Sequence, residues 1–317
     1  MKIVILDSGY KSYEYEIALF EKHGFSIKIH PLYKGDPIEK VEFAKEADGL
    51  LIRHTIINEE FLSKMKNLKA VVRYGIGYDN IDVGACTRHG VKVANVQGYA
   101  SHSVSDHALA LMFSCTRGLW NSKKQLLHQF AAPPVEDIFE LHDKTLGIIG
   151  LGRIGSKLSQ KAQPLFKNII AADPYQSPNY FSRLSIEKAD LQTLLEQAHI
   201  ISVNCNLTEE THHILDEAAF SQMKQKPVII NTSRGETVDE TALLNALTSA
   251  QIHSVGLDVF ENEPPTENQQ KLIDHPRTIC TGHYAWYSDR AAVELQKRAA
   301  NNLLRLLSGE EAKDALN

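Results

Sequence analysis

At 317 residues the chain is long enough for two domains of roughly 150 residues each. Its 34 Lys and Arg against 39 Asp and Glu leave a formal charge of −5, and 43% of the residues are hydrophobic and 23% charged, the mix of an ordinary globular protein. That balance excludes a disordered chain, a pI near 6.3 argues against a basic nucleic-acid binder, and no apolar run approaches the roughly 18 residues that a membrane helix needs.

The opening run from Met1 to Asp7 is too short for a signal peptide and reads as a first strand. Tyr13, Ile17 and Phe20 then recur at helical spacing, with Gly24 placed to cap the helix. Further short apolar runs at 26–30, 49–53, 70–73 and 91–94 continue a strand–helix alternation, which predicts a mostly parallel sheet covered by helices. Ser101 reads as the N-cap of a long helix with Val104, Ala108, Leu111 and Cys115 on one face. The segment 131–143, with Pro133 and Pro134, reads as irregular.

A second series begins at Thr145. Strands are expected at 146–149, 169–173, 200–204, 228–231 and 254–258, with helices near 156–166, 190–197, 216–223 and 239–249 between them. A last amphipathic helix spans 288–307 and is followed by Gly309. Four separated cysteines, Cys86, Cys115, Cys205 and Cys280, form no CxxC pair. Neither a disulfide framework nor a metal site is expected, and a reducing cytoplasmic compartment fits.

Gly150-Leu151-Gly152-Arg153-Ile154-Gly155 is a G-x-G-x-x-G placed between an expected strand and an amphipathic helix, the context in which this motif binds a dinucleotide. Gly150 permits the tight turn, Gly152 lets backbone approach a pyrophosphate, and Gly155 lets helix and strand pack closely. The helix N-terminus presents N–H groups to the phosphates, with Arg153 in reach of them. Asp173 stands 18 residues after Gly155, where an acid accepts from the adenosine ribose and repels a 2′-phosphate, favouring NAD over NADP.

Three more segments follow expected strands: Asn231-Thr232-Ser233-Arg234-Gly235, Asp258-Val259-Phe260-Glu261-Asn262-Glu263-Pro264, and Thr281-Gly282-His283-Tyr284-Ala285-Trp286-Tyr287. Ligand crevices of open α/β sheets form at carboxyl strand ends, so Arg234, Glu263 and His283 can converge there. His102, His107, His128, His212 and His213 have no motif context and read as structural.

At these residues the chain resembles the D-isomer-specific 2-hydroxyacid dehydrogenase family, also on the run Val71-Val72-Arg73-Tyr74-Gly75-Ile76-Gly77-Tyr78-Asp79-Asn80-Ile81-Asp82. Ala285-Trp286-Tyr287-Ser288 and His54-Thr55-Ile56 are most similar to the C-terminal-binding-protein and phosphoglycerate dehydrogenase-like branch. The resemblance implies an α/β fold with a Rossmann NAD-binding domain (100–286) inserted in a discontinuous, flavodoxin-like substrate domain (1–99 with 287–317). It implies hydride transfer between NAD and a small 2-keto or D-2-hydroxy acid, with His283 as acid/base, Glu263 as its partner and Arg234 on the carboxylate. The cofactor would be held by Gly150, Gly152, Arg153, Ile154, Gly155, Asp173, Cys205, Thr232, Ser233 and Asp258, and the substrate by His54, Arg73, Tyr74, Gly75, Ile76, Gly77 and Trp286. No metal, nucleic acid or membrane enters this reading, and a homodimer is expected around the Ser101–Leu119 helix and the segment after it.

Against the family pattern, Gln97, Asn206 and Gly282 stand where prolines are usual and Asp106 where Glu is common, which predicts looser loops beside the site. The small regulatory domain that longer phosphoglycerate dehydrogenases append is not expected in the residues after Gly309. Two competing readings remain: an NADH-responsive interaction protein like the animal corepressor, and an NADP-dependent keto-acid reductase, against which Asp173 argues.

Overall fold

The apolar runs form strands in a computed structural model that describes residues 1–32, 35–119, 122, 126 and 138–317. Residues 131–137 of the segment expected to be irregular, and His128, lie outside the described residues. The chain divides into two units, Met1–Tyr99 with Ser288–Asn317, and Ala100–Tyr287.

The first unit runs β1 (Lys2–Ile5), α1 (Glu14–Lys22), β2 (Ser26–Ile29), α2 (Pro37–Ala44), β3 (Gly49–Ile52), α3 (Glu59–Ser63), β4 (Ala70–Arg73), α4 (Val83–Arg88) and β5 (Lys92–Ala94). Its five strands are parallel in the order β2-β1-β3-β4-β5, the flavodoxin-like order. β3 and the first three residues of β4 are buried outright, as expected of strands covered on both faces. The C-terminal helix Asp289–Leu307 packs on this sheet, and Gly49 makes that approach possible, because a Cβ there would lie 2.9 Å from a methyl of Leu307.

The second unit runs α5 (Ser101–Arg117), β6 (Thr145–Ile149), α6 (Arg153–Ala162), β7 (Asn168–Ala172), α7 (Pro178–Leu184), β8 (Glu187–Lys188), α8 (Leu191–Gln197), β9 (Ile200–Val203), α9 (Glu217–Ser221), β10 (Val228–Asn231), α10 (Glu240–Thr248), β11 (Ser254–Leu257), α11 (Glu267–Ile273) and β12 (Thr278–Cys280). The seven strands are parallel in the order β12-β11-β10-β9-β6-β7-β8. That is the Rossmann arrangement extended by one strand, and its order reverses between β6 and β9, where a ligand crevice belongs. Asp190, Asp216 and Asp239 cap α8, α9 and α10 by accepting the N–H three residues on. Each such cap is worth about 1 kcal/mol.

Several boundaries differ from the sequence reading. Ser101 is not the N-cap of α5. Ala100 is, because its carbonyl already accepts the Val104 N–H at 2.9 Å. α6 starts at Arg153 rather than Ser156, since the Ser156 N–H donates to Gly152 O at 2.9 Å, and it ends at Ala162, where the chain turns through Leu165. α7, β8, α11 and β12 were not anticipated; all are seven residues or shorter. No helix among the described residues is long and apolar enough to cross a membrane.

Candidate active site

The three glycines of the dinucleotide motif differ in what surrounds them. A Cβ on Gly150 (φ +89°) would lie 2.7 Å from the Cys205 backbone nitrogen, so the turn after β6 fits against the turn after β9 only as glycine. A Cβ on Gly155 would stand 2.1 Å from Gly150 O, which is how α6 seats on the end of β6. Beside Gly152 there is nothing within 4 Å, leaving open space over the start of α6. Ile154 follows in its first turn. Asp173, just past β7, reaches back to this loop: its carboxylate accepts from Leu151 N (2.8 Å) and Tyr175 N (3.0 Å).

Two buried polar atoms beside this crevice, Asn204 Oδ1 after β9 and Thr232 Oγ1 after β10, have no hydrogen-bond partner among the described residues. Open space over a helix N-terminus, an acid at the next strand end and orphaned polar atoms are what a dinucleotide would fill and satisfy. Burial pushes the Cys205 thiol up to about 11, so it lines this crevice as a neutral group.

The Arg234 loop is built around Asn231. The Asn231 amide donates to Arg234 O (2.8 Å) and its oxygen accepts from Ser233 N (3.0 Å) and Oγ (2.9 Å). Arg234 Nη1 donates to Ser233 O at 2.8 Å. Gly235 then rests directly on the Phe260–Glu261 peptide, with a would-be Cβ only 1.9 Å from Phe260 C, so the loops after β10 and β11 interlock at that point.

Glu263 and His283 meet directly. His283 Nδ1 and Glu263 Oε2 are 2.5 Å apart. Burial acts to raise the Glu263 pKa, but the hydrogen bond and charge of His283, with Phe260 N and the Arg234 guanidinium, outweigh it and hold the carboxyl below its usual range. His283 adopts φ +53°, a left-handed conformation that few non-glycine residues take and that concentrates at functional sites. What holds it there is Asp258. The His283 N–H donates to Asp258 O (2.7 Å), and the buried Asp258 carboxylate accepts from Thr281 Oγ1 (2.5 Å), Tyr284 N (3.1 Å) and Ala285 N (2.9 Å). The Trp286 indole closes the turn by donating to His283 O at 3.1 Å.

Two histidines read from sequence as structural sit beside this machinery. His107, on α5, shares a hydrogen bond with Thr281 Oγ1 (2.9 Å), and His213 Nε2 lies 3.0 Å from Glu261 Oε1 in the Glu263 loop. Residues 107 and 281 are 174 positions apart, so no local pattern could have paired them.

In the first unit, the residues expected at the substrate lie on loops at carboxyl strand ends. Asp7, which the sequence reading passed over, organises one of them. Its buried carboxylate accepts from Arg53, His54 and Thr55 N–H groups at 2.9, 2.8 and 2.8 Å, and pairs with buried Lys40. Burial acts to raise its pKa, and Lys40 with the three N–H groups reverses the shift to a lowered value. His54 is left at the surface and Arg53 over the Tyr10 ring at 5.0 Å. Arg73 folds across Gly75 (φ +146°), where any Cβ would strike its guanidinium, and Ile76 and Gly77 follow, half-buried. Tyr74 is a correction. Its side chain is 3% exposed, its ring packs edge-on against Tyr10 with centroids 5.2 Å apart, and its hydroxyl donates to buried Glu16 at 2.9 Å.

Residues 109–285 match the family model for the D-isomer specific 2-hydroxyacid dehydrogenase, NAD binding domain. The chain belongs to the D-isomer specific 2-hydroxyacid dehydrogenase family, and its second unit carries the family's NAD-binding domain. It is 34% identical to D-3-phosphoglycerate dehydrogenase of Bacillus subtilis over 298 residues, 91% of this chain and 56% of the relative. The chain spans about half the length of the curated relatives it matches. Among solved structures it resembles a glyoxylate reductase from Paecilomyes thermophila (TM-score 0.89, 26% identity, covering 99% and 98% of the two chains). It also resembles apo D-lactate dehydrogenase from Escherichia coli (TM-score 0.84, 28% identity, all of both chains).

Proposed function

We propose that this chain is an NAD-dependent oxidoreductase that interconverts a small 2-keto acid and the D-2-hydroxy acid. The observation that carries the reading is the 2.5 Å contact between His283 and Glu263 at the carboxyl edge of the NAD-binding sheet. The Glu263 carboxylate accepts a hydrogen bond from Nδ1–H, which orients the ring and makes Nε2 the atom that exchanges a proton with substrate. When bound, the nicotinamide supplies a hydride to the keto carbon. His283 Nε2 gives its proton to the keto oxygen, so the carbonyl gains one hydride and one proton and becomes the hydroxyl. In the oxidative direction His283 is the base that takes that proton back.

Arg234 contributes a planar fork of donors to the carboxylate and keto oxygen, a geometry that Lys cannot reproduce. Its charge also acts on Glu263. Gly150, Gly152, Arg153, Ile154 and Gly155 cradle the pyrophosphate, Asp173 the adenosine ribose, and Cys205, Thr232, Ser233 and Asp258 the rest of the dinucleotide. The Asp258 carboxylate carries a second task here, since it already holds the His283 turn. For the substrate the reading assigns the Gly75-Ile76-Gly77 backbone, Arg73 and His54 in the first unit, and Trp286 beside His283.

A cytoplasmic homodimer completes the reading. Free Cys86, Cys115, Cys205 and Cys280 suit a reducing compartment, and Phe113 and Leu119 expose apolar surface on α5 and at its end. The test is an NADH-oxidation screen of the purified protein over a panel of 2-keto acids, run in parallel with NADPH. Turnover with at least one acid and a preference for NADH is expected. No turnover, or a strong preference for NADPH, overturns the reading.

A further inference from the structure

The strand order places β7 and β9 on either side of β6, so the loops that follow them flank the glycine turn. One side-chain bond joins those two loops. The Tyr175 hydroxyl, three residues past β7, donates to Glu210 Oε2 at 2.5 Å, and Glu210 stands seven residues past β9. With neighbouring strands about 4.8 Å apart, the bond closes a gap of roughly 10 Å across the end of β6.

Both ends are pinned before they meet. Pro174 restricts the backbone ahead of Tyr175, and the Asp173 carboxylate accepts the Tyr175 N–H at 3.0 Å, an Asx-turn that sets where the ring leaves the chain. On the other side, Thr208 to Thr211 form a tight turn. Thr211 N donates to Thr208 O (3.2 Å), while Thr211 Oγ1 accepts from Thr208 N (2.8 Å) and donates to Asn206 O (2.6 Å), which puts Glu210 at the tip. Tyr175 is 79% exposed, so packing does not hold its ring and the bond to Glu210 does.

The Glu210 hydrogen bond and charge push the Tyr175 hydroxyl pKa up, with desolvation and the Asp173 charge adding to them, so the hydroxyl stays a donor within the field of both acids. Lys188, on β8, would offer a phosphate a cation near this loop, but its Nζ donates to Gln176 O (3.4 Å) and lies over the Phe181 ring (5.3 Å). An exposed contact such as that between Tyr175 and Glu210 does little for folding. What it fixes is a second negative charge, acting on the same hydroxyl as Asp173 does.

We propose that Glu210, held by Tyr175, is a cofactor-specificity residue: with Asp173 it makes the adenosine end of the crevice doubly acidic and excludes the 2′-phosphate of NADP. The inference rests on the reading that seats the adenosine ribose at Asp173. A 2′-phosphate carries about two negative charges, so each carboxylate repels it, whereas the 2′-hydroxyl of NAD is neutral. Asp173 also accepts a hydrogen bond from that hydroxyl, while Glu210 acts by charge alone. Removing Glu210 therefore lowers the barrier to NADP more than it weakens NAD.

The test is fluorescence titration of the full chain with NADH and with NADPH, read as the ratio of the two dissociation constants. The parent should bind NADH more tightly. Glu210→Gln should narrow the ratio by roughly three- to tenfold, and Glu210→Lys should narrow it further, in the order of the charge change. Tyr175→Phe frees the carboxylate and should narrow the ratio by less than Glu210→Gln. Asp173→Ser combined with Glu210→Gln should narrow it more than Asp173→Ser alone. Both Tyr175 and Glu210 are exposed, so their variants keep the fold, which circular dichroism checks. A ratio unchanged in Glu210→Gln and Glu210→Lys overturns the proposal, as does a parent with no preference for NADH. So does a ratio narrowed only by weaker NADH binding, which would make the pair a support for the loops rather than a barrier to the phosphate. A Tyr175→Phe ratio equal to the parent's overturns the part given to Tyr175. Because only binding is read, a chain that prefers NADH but reduces no 2-keto acid would fail the dehydrogenase reading and leave this one standing.

Discussion

Gly235 and Phe260 touch through their backbones: a Cβ on Gly235 would fall 1.9 Å from Phe260 C and 2.1 Å from its oxygen. This contact ties the loop that carries Arg234 to the loop that carries Glu263. Gly235→Ala therefore has to push one loop off the other. The expected result is a folded protein destabilised by roughly 1–3 kcal/mol with turnover down by about 100-fold, read by thermal unfolding and steady-state kinetics. Normal turnover in the variant would mean that the loops can separate without harm.

Asp258 binds the His283 turn from inside the protein. Asp258→Asn keeps the shape but replaces one acceptor oxygen with an amide donor, facing N–H and O–H donors that then lack a partner. An unmet buried donor costs about 1–3 kcal/mol. The expected outcome is a fall in kcat larger than any change in NADH affinity, measured by pairing kinetics with NADH fluorescence titration. The reverse pattern would place Asp258 mainly on the cofactor.

The Glu263 carboxyl is held below its usual range, so the folded state keeps it ionised where an unfolded chain would begin to protonate it. With the folded pKa depressed, its contribution to stability is present above the ordinary carboxylate value near 4.5 and is lost as pH falls through the folded value. Glu263→Gln should accordingly be less stable than the parent at pH 7, with the gap closing as the pH falls below about 4.5. Denaturant unfolding at several pH values checks this, and a gap that widens toward acid would reverse the sign.

Cys205 sits beside the glycine turn, but burial pushes its thiol up to about 11. At pH 8 about one thiol in a thousand is then thiolate. Iodoacetamide should leave Cys205 unmodified in the native protein under conditions that alkylate the unfolded chain, as mapped by mass spectrometry. Rapid native labelling would contradict its placement.

Much of the α/β architecture was legible because buried parallel strands are unbroken apolar runs, as at 70–73 and 228–231, where the expected and observed spans coincide. The glycine motif was legible because backbone crowding leaves no other residue possible at Gly150 and Gly155. Short elements such as β8 and β12 were not, since two or three residues carry no period to read. Asp7 was hidden for another reason. Its partners, Lys40 and residues 53–55, are 33 to 48 positions away, and only the fold brings the carboxylate to their N–H groups. Tyr74 misled because its neighbours Arg73 and Gly75 resemble the family's substrate loop while its own ring turns inward onto Glu16.

The most direct test of the central claim is to compare His283→Gln with the parent, using the best 2-keto acid from the screen, for NADH oxidation and for NADH affinity. Loss of the proton donor at Nε2 with the cofactor cradle intact predicts turnover reduced by about 100-fold or more and NADH affinity within a few-fold of the parent. Unchanged turnover would remove His283 from the reaction and contradict the account.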